Sequence, residues 1–292
     1  LERLPKETII FDWHYAERPY DSTRLFRDAG LEVVCCPAVR SYDSFFCHLG
    51  ETRENIDQHA EDARKLEALG VLVTTWEFSY FTNYPSTLPI IYSAGRRLAF
   101  GDDWHEALLT EGGEKYTGMA TAMAIWVERA SPFLGWPGWR RLRQSFVLSQ
   151  NPFFLWREWR EEVCGEAGNR LLAVCAHHAG EYPADFLRLS IDWVRGVERA
   201  YEAYALRETE EACARLRGLD PLFDELHRWM AHFASLGGSQ ADVGRAALLR
   251  RRLHDAVDAI EKLDNGYQPG FETITHPAYV PGDQAAWRTG QY

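Results

Sequence analysis

The sequence predicts an α/β chain in two parts, a partial (β/α)8 TIM barrel followed by an all-α helical bundle. Three observations carry this expectation. A strand, loop, helix pattern repeats three times in the first hundred residues, which implies parallel strands joined by right-handed helical crossovers. Each strand is short, β-branched and almost continuously apolar, as a strand buried on both faces must be. From about residue 102 onward, apolar residues recur at helical spacing almost without a break. The expected boundaries are 1–101 for the βα units, 102–266 for the helical domain and 267–292 for an irregular tail.

The strands are read at 8–12, 31–36 and 71–75. The first helix is expected to start at Asp21, a good N-cap, and to stop at Gly30, which tolerates the left-handed conformation of a helix C-terminus. The second runs over 51–69 with Ile56, Ala60, Ala63 and Leu66 on its buried face and Gly70 as its stop. The third opens at Pro89, where proline fits a first turn. Three strands cannot close a cylinder, because closure takes about eight and an open edge leaves backbone groups unpaired. The expected partner is therefore the N-terminal half of the barrel, lying before Leu1.

In the second part, Phe186, Leu189, Trp193, Val197, Ala200 and Tyr204 form one apolar stripe. Leu222, Leu226, Met230 and Phe233 form another, and Leu249, Leu253, Val257, Ile260 and Leu263 a third, so an antiparallel bundle is the natural packing. Trp126, Trp136, Trp139, Trp156 and Trp159 are expected to fill a domain junction.

The formal charge of -11 repels phosphate backbones and anionic bilayers, which argues against nucleic acid and membrane partners. No apolar run reaches the roughly 18 residues that a membrane span needs. The six cysteines show no disulfide framework and no metal clip, so a cytoplasmic location is expected. The basic runs at 139–143 and 250–252 read as solvated helix faces paired with acids. His177 and His178 are adjacent, so on a helix they diverge by about 100° and cannot chelate one ion. No metal and no cofactor are expected.

Parallel α/β architectures gather reactive groups at the C-terminal ends of their strands. That position selects Asp12, Trp13, His14 and Tyr15 after the first strand, Arg40, Ser41, Tyr42 and Asp43 after the second, and Trp76 and Glu77 with Tyr80 after the third. Each cluster joins an aromatic face to a carboxylate, the combination that a pyranose ring and its hydroxyls require.

Asn55-Ile56, then the run from Ala63 through Gly70-Val71-Leu72-Val73-Thr74-Thr75-Trp76, then Leu88-Pro89 opening a helix, resemble the last barrel strand of glycoside hydrolase family 20. Within that family the hexosaminidase D-like branch is the nearer match. The resemblance covers residues 6–100 and implies that these are the last three βα units. It further implies an exo-acting β-N-acetylhexosaminidase in which the substrate's own acetamido oxygen attacks the anomeric carbon.

By the same resemblance Tyr42 would hydrogen-bond that oxygen, with Asp43 beside it as the second catalytic residue. Trp76 and Glu77 would hold the sugar, Trp13 would wall the acetamido pocket, and Asp12, Tyr15 and Arg40 would complete the substrate contacts. Here Tyr42 and Asp43, like Trp76 and Glu77, are adjacent, where family members place one residue between. The family's Asp-Glu pair, which supplies the general acid, has no counterpart in the chain and is expected upstream. The chain alone should thus be inactive. The alternative is a non-catalytic carbohydrate-binding or scaffolding protein on a degenerate barrel, and a homodimer through the helical domain is a further expectation.

Overall fold

The computed structural model describes residues 1–41, 46–75, 84–129 and 165–262. The chain divides into two compact units, Leu1–Glu77 with Ser86–Ala130, and Phe78–Pro85 with Ser131–Tyr292. An α/β arrangement followed by a helical region is what the sequence led us to expect. Among the described residues the strands of the first unit form two small parallel sheets.

In the first unit, β1 (Ile9–Trp13), β2 (Glu32–Cys36) and β4 (Gly70–Val71) lie side by side in that order, and β3 (Ala38–Val39) pairs with β5 (Thr74–Thr75). Pro37 has no N–H to give and so separates β2 from β3. Its carbonyl still accepts from the Thr74 N–H at 2.8 Å and the Thr74 hydroxyl at 3.0 Å, which carries the pairing across the break. The expected strands 31–36 and 71–75 are therefore each continued or interrupted by one short irregularity.

The crossovers are α1 (Tyr20–Asp28) and α2 (Leu49–Lys65), both packed on the sheet. Two right-handed crossovers between strands laid down in sequential order place both helices on the same face. Along β1 the residues alternate. Asp12 is buried toward α1, whereas Ile9, Phe11 and Trp13 are 46%, 50% and 54% exposed on the opposite face. The register sets Phe11 beside Val34 and Trp13 beside Cys36 on that second face, and Leu72, 48% exposed, continues it.

Helix ends follow the sequence in part. Gly30 takes φ 78°, its N–H reaching the Arg27 carbonyl at 2.9 Å while Leu31 N–H reaches Phe26 at 3.1 Å, the double closure expected of a glycine stop. At the end of α2 the left-handed residue is Glu67, φ 51°, and Gly70 already belongs to β4. α3 (Tyr84–Phe100) starts ahead of the expected Pro89, which sits inside the helix. α4 (Trp104–Arg129), expected in the second domain, belongs to the first unit: it packs on α2, and Trp104 Nε1 donates to Asp57 at 3.1 Å. It bends at Gly113, φ 74° and ψ 175°.

The second unit is helical: α5 (Glu166–His177), α6 (Tyr182–Ala205), α7 (Thr209–Arg217), α8 (Asp220–Ser235) and α9 (Gln240–Glu261). All six residues of the first expected stripe are buried on α6. On α8 the buried set is Phe223, Leu226, Met230 and Phe233, so Phe223 takes the place expected of Leu222. Gly196 allows α6 to approach Leu219, whose Cδ2 would stand 2.1 Å from a Cβ added there. Arg250 ties α9 to α8 through Asp220 and through Asp224 at 2.7 Å, as expected of a basic run paired with acids. Leu263, the tail 267–292, the run 139–143, Cys164 and the side chains of Trp126, Trp136, Trp139, Trp156 and Trp159 lie outside the described residues. Among the described residues no helix is long and apolar enough to cross a membrane.

Candidate functional site

Because the paired strands are parallel, the loops leaving β1, β3 and β5 emerge from the same end of the strands. Trp13 closes β1, Arg40 follows β3, and Thr75 closes β5. Trp13 lies on the exposed apolar face beside Cys36, whose thiol donates to the Val34 carbonyl at 3.4 Å. Burial is the main reason that the Cys36 pKa is pushed up to about 11, so the sulfur stays protonated at neutral pH. Tyr15 is half-buried in the loop after β1. Arg40 is half-buried, ion-paired with Glu51 on α2, and its backbone N–H donates to the Thr52 hydroxyl at 2.9 Å. Tyr42, Asp43, Trp76, Glu77 and Tyr80 lie outside the described residues.

Asp12, expected among the sugar contacts, faces away from Trp13. The alternation of β1 turns its carboxylate toward α1, where Oδ2 accepts from Ser22 and Thr23, each at 2.7 Å, and Oδ1 meets His14 Nε2 at 3.0 Å. The carboxylate is 7% exposed and joins β1 to α1.

Ser22, His14 and Asp12 together have the composition of a nucleophilic triad but not its geometry. Ser22 Oγ stands 2.7 Å from the same Nε2 that meets Asp12, whereas a relay needs serine and carboxylate on opposite ring nitrogens. Ser22 also donates straight to Asp12, so proton transfer through the ring has no distinct donor and orienter. The cluster is a hydrogen-bonded support.

Helix α2 presents a buried polar stripe, Thr52, Asn55, His59 and Asp62, each 5% exposed or less. Asn55 Oδ1 accepts from the Ala38 N–H at 3.0 Å, and its Nδ2 donates to the His14 carbonyl at 2.9 Å. Asp62 receives Arg18 through two bonds, at 2.8 Å and 2.7 Å, with Glu61 accepting from the same guanidinium at 2.6 Å. Arg18 lies in the β1–α1 loop, so these bonds fasten that loop to α2. His59 donates Nδ1–H to the Asn55 carbonyl at 2.8 Å, while Nε2 is buried without a hydrogen-bond partner. Burial accordingly holds the His59 pKa below its ordinary value.

None of Arg18, Ser22, Thr23, Asn55 or Asp62 was selected as a functional residue from the sequence. A spacing of three, four and three along α2 was the available signal, masked because the apolar Ile56 and Ala63 share that face. Among the described residues no group of three or more His, Cys, Asp or Glu side chains is placed to hold a metal ion. What the arrangement offers is a rigid base under strand-end loops that carry aromatic and cationic side chains, suited to holding a neutral polar ligand with an apolar face. No family model matches the chain, and no curated protein matches it either.

Proposed function

We propose that the first unit is a sector of a (β/α)8 glycosidase barrel whose strand ends form part of a site for a terminal N-acetylhexosamine. The observation that supports this best is the one-sidedness of the sheet. Strands in sequential order carry their helices on one face, and the opposite face is apolar and half-exposed along Ile9, Phe11, Trp13 and Leu72. A doubly wound sheet covers both faces with helices. A barrel wall instead turns its inner face toward other strands, and the outer edge of β1 is where a further parallel strand would pair.

In this reading Trp13 stands at the rim where sugars bind, Arg40 is held by Glu51, and the Tyr42-Asp43 and Trp76-Glu77 pairs, which follow β3 and β5 in the sequence, supply the remaining contacts. The reaction follows the family 20 course. Tyr42 bonds the substrate's acetamido oxygen as that oxygen attacks the anomeric carbon, and Trp76 stacks on the ring while Glu77 accepts from its hydroxyls. The acid that protonates the leaving oxygen comes from another strand of the barrel.

The product of the complete reading frame should hydrolyse nitrophenyl N-acetyl-β-glucosaminide or its galacto epimer and be inhibited by a thiazoline mimic of the bicyclic intermediate. Thiazoline binding without hydrolysis would favour a carbohydrate-binding protein on a degenerate barrel. The absence of both turnover and binding would overturn the sugar site itself.

A further inference from the structure

We propose that Asn55 is a positioning residue that couples the loop after β1 to the start of β3, and so sets Trp13 and Tyr15 relative to the strand that leads into Arg40. One side-chain amide serves both elements: its oxygen takes the Ala38 N–H at 3.0 Å and its nitrogen gives to the His14 carbonyl at 2.9 Å. The side chain is 5% exposed, so water does not substitute for either bond. Ala38 pairs with Thr74 in a parallel ladder, yet its N–H points to α2, so the start of β3 depends on this helix residue for that bond.

Only a side chain with donor and acceptor on one planar group can meet an N–H and a carbonyl in this way, which excludes aspartate, leucine and alanine. Neighbouring bonds act on one loop each: Thr52 on Arg40, and Asp62 on Arg18. Asn55 alone among these joins the β1 loop to β3, and the chain leaving each of them carries part of the candidate sugar site. The relevance of the coupling to sugar binding rests on the proposed function, but the coupling is measured without sugar.

The test uses the whole chain labelled with ¹⁵N-alanine and ¹⁵N-tyrosine. In Asn55→Ala the Ala38 amide should exchange about tenfold faster or more, and the Tyr15 amide, which follows the His14 carbonyl, should shift. Ala60 and Ala63 on α2 and Ala120 on α4 should keep their rates. Asn55→Asp at neutral pH retains the acceptor and loses the donor, so Ala38 should stay protected while Tyr15 shifts. A generic destabilisation would not divide the two amides in this way.

Unchanged Ala38 and Tyr15 in both variants would overturn the coupling, as would an equal rise in exchange at every alanine. Should either variant fail to fold, the wild-type chain decides. The Asn55 side-chain NH₂ should be protected from exchange, and free exchange at an exposed-amide rate would sink the proposal. A wild-type chain that shows the divided response in its variants but never binds the thiazoline would remove the sugar site and leave the coupling standing.

Discussion

Replacing Phe11 with threonine tests the exposed sheet face directly. Phe11 is 50% exposed on β1, whereas Ile56 on α2 is fully buried. Fully burying a large apolar side chain contributes about 1.5–3 kcal/mol, so a half-buried Phe11 should lose only about 1 kcal/mol on substitution, and threonine preserves strand propensity. Ile56→Ala opens a cavity in a packed site and should cost about 2–5 kcal/mol. Equilibrium unfolding in guanidinium, with the slope checked for constancy, separates these values. The Phe11→Thr protein should also bind less of a hydrophobic dye than the wild type. If, in this 292-residue chain by itself, Phe11→Thr costs as much as Ile56→Ala, the chain's own residues cover the face, and the one-sided sheet, with the barrel-sector reading built on it, is lost.

Two further outcomes follow from the same geometry, and two more from the proposed function. Burial depresses the His59 pKa, so the unfolded chain takes up a proton that the folded chain refuses. The His59 contribution is therefore complete above the unfolded value of 6.5 and is lost as pH falls below it. His59→Leu should flatten the fall of the urea midpoint below that pH, and an unchanged slope would remove His59 from the acid response. Glu67→Gly relieves a left-handed residue at the α2 terminus and should raise stability by up to about 1 kcal/mol in thermal unfolding, a gain that a strain-free site would not give. In an active full-length enzyme Tyr42→Phe should lower kcat by about 10²-fold with little change in KM, and Trp76→Ala should raise KM at least as clearly as it lowers kcat. Near-normal kcat in Tyr42→Phe would make Tyr42 a packing residue.

The strands were legible because continuous apolar β-branched runs such as 31–36 have few other uses in a globular chain, and Gly30 was legible because its left-handed turn suits glycine. Glu67 was not: a glutamate gives no sign that it will adopt φ 51°, and Gly70 drew the expected stop past it. Pro89 pointed to a helix start for a sound reason, yet a helix that absorbs one missing N–H can begin earlier, and α3 does. The reading of α2 found the helix and part of its apolar face but missed its polar contacts. Apolar periodicity identified Ile56 and Ala63, but the buried contacts that matter most are polar and become intelligible only once Ala38, His14 and Arg18 are seen opposite Asn55 and Asp62. Asp12 shows the same limit: its place at a strand end was readable, and the side of the strand it faces was set by a register that the sequence does not display.

The central claim is that the ends of β1, β3 and β5 contribute to one N-acetylhexosamine site. The most direct measurement is a titration of the ¹⁵N-tryptophan-labelled complete protein with the thiazoline mimic, following the indole N–H of Trp13 and Trp76, each assigned by substitution. Both signals should move together and saturate at one ligand concentration, and Trp13→Ala should weaken binding measured by calorimetry. Saturable binding that leaves both indoles unmoved, or no binding at all, would contradict the account.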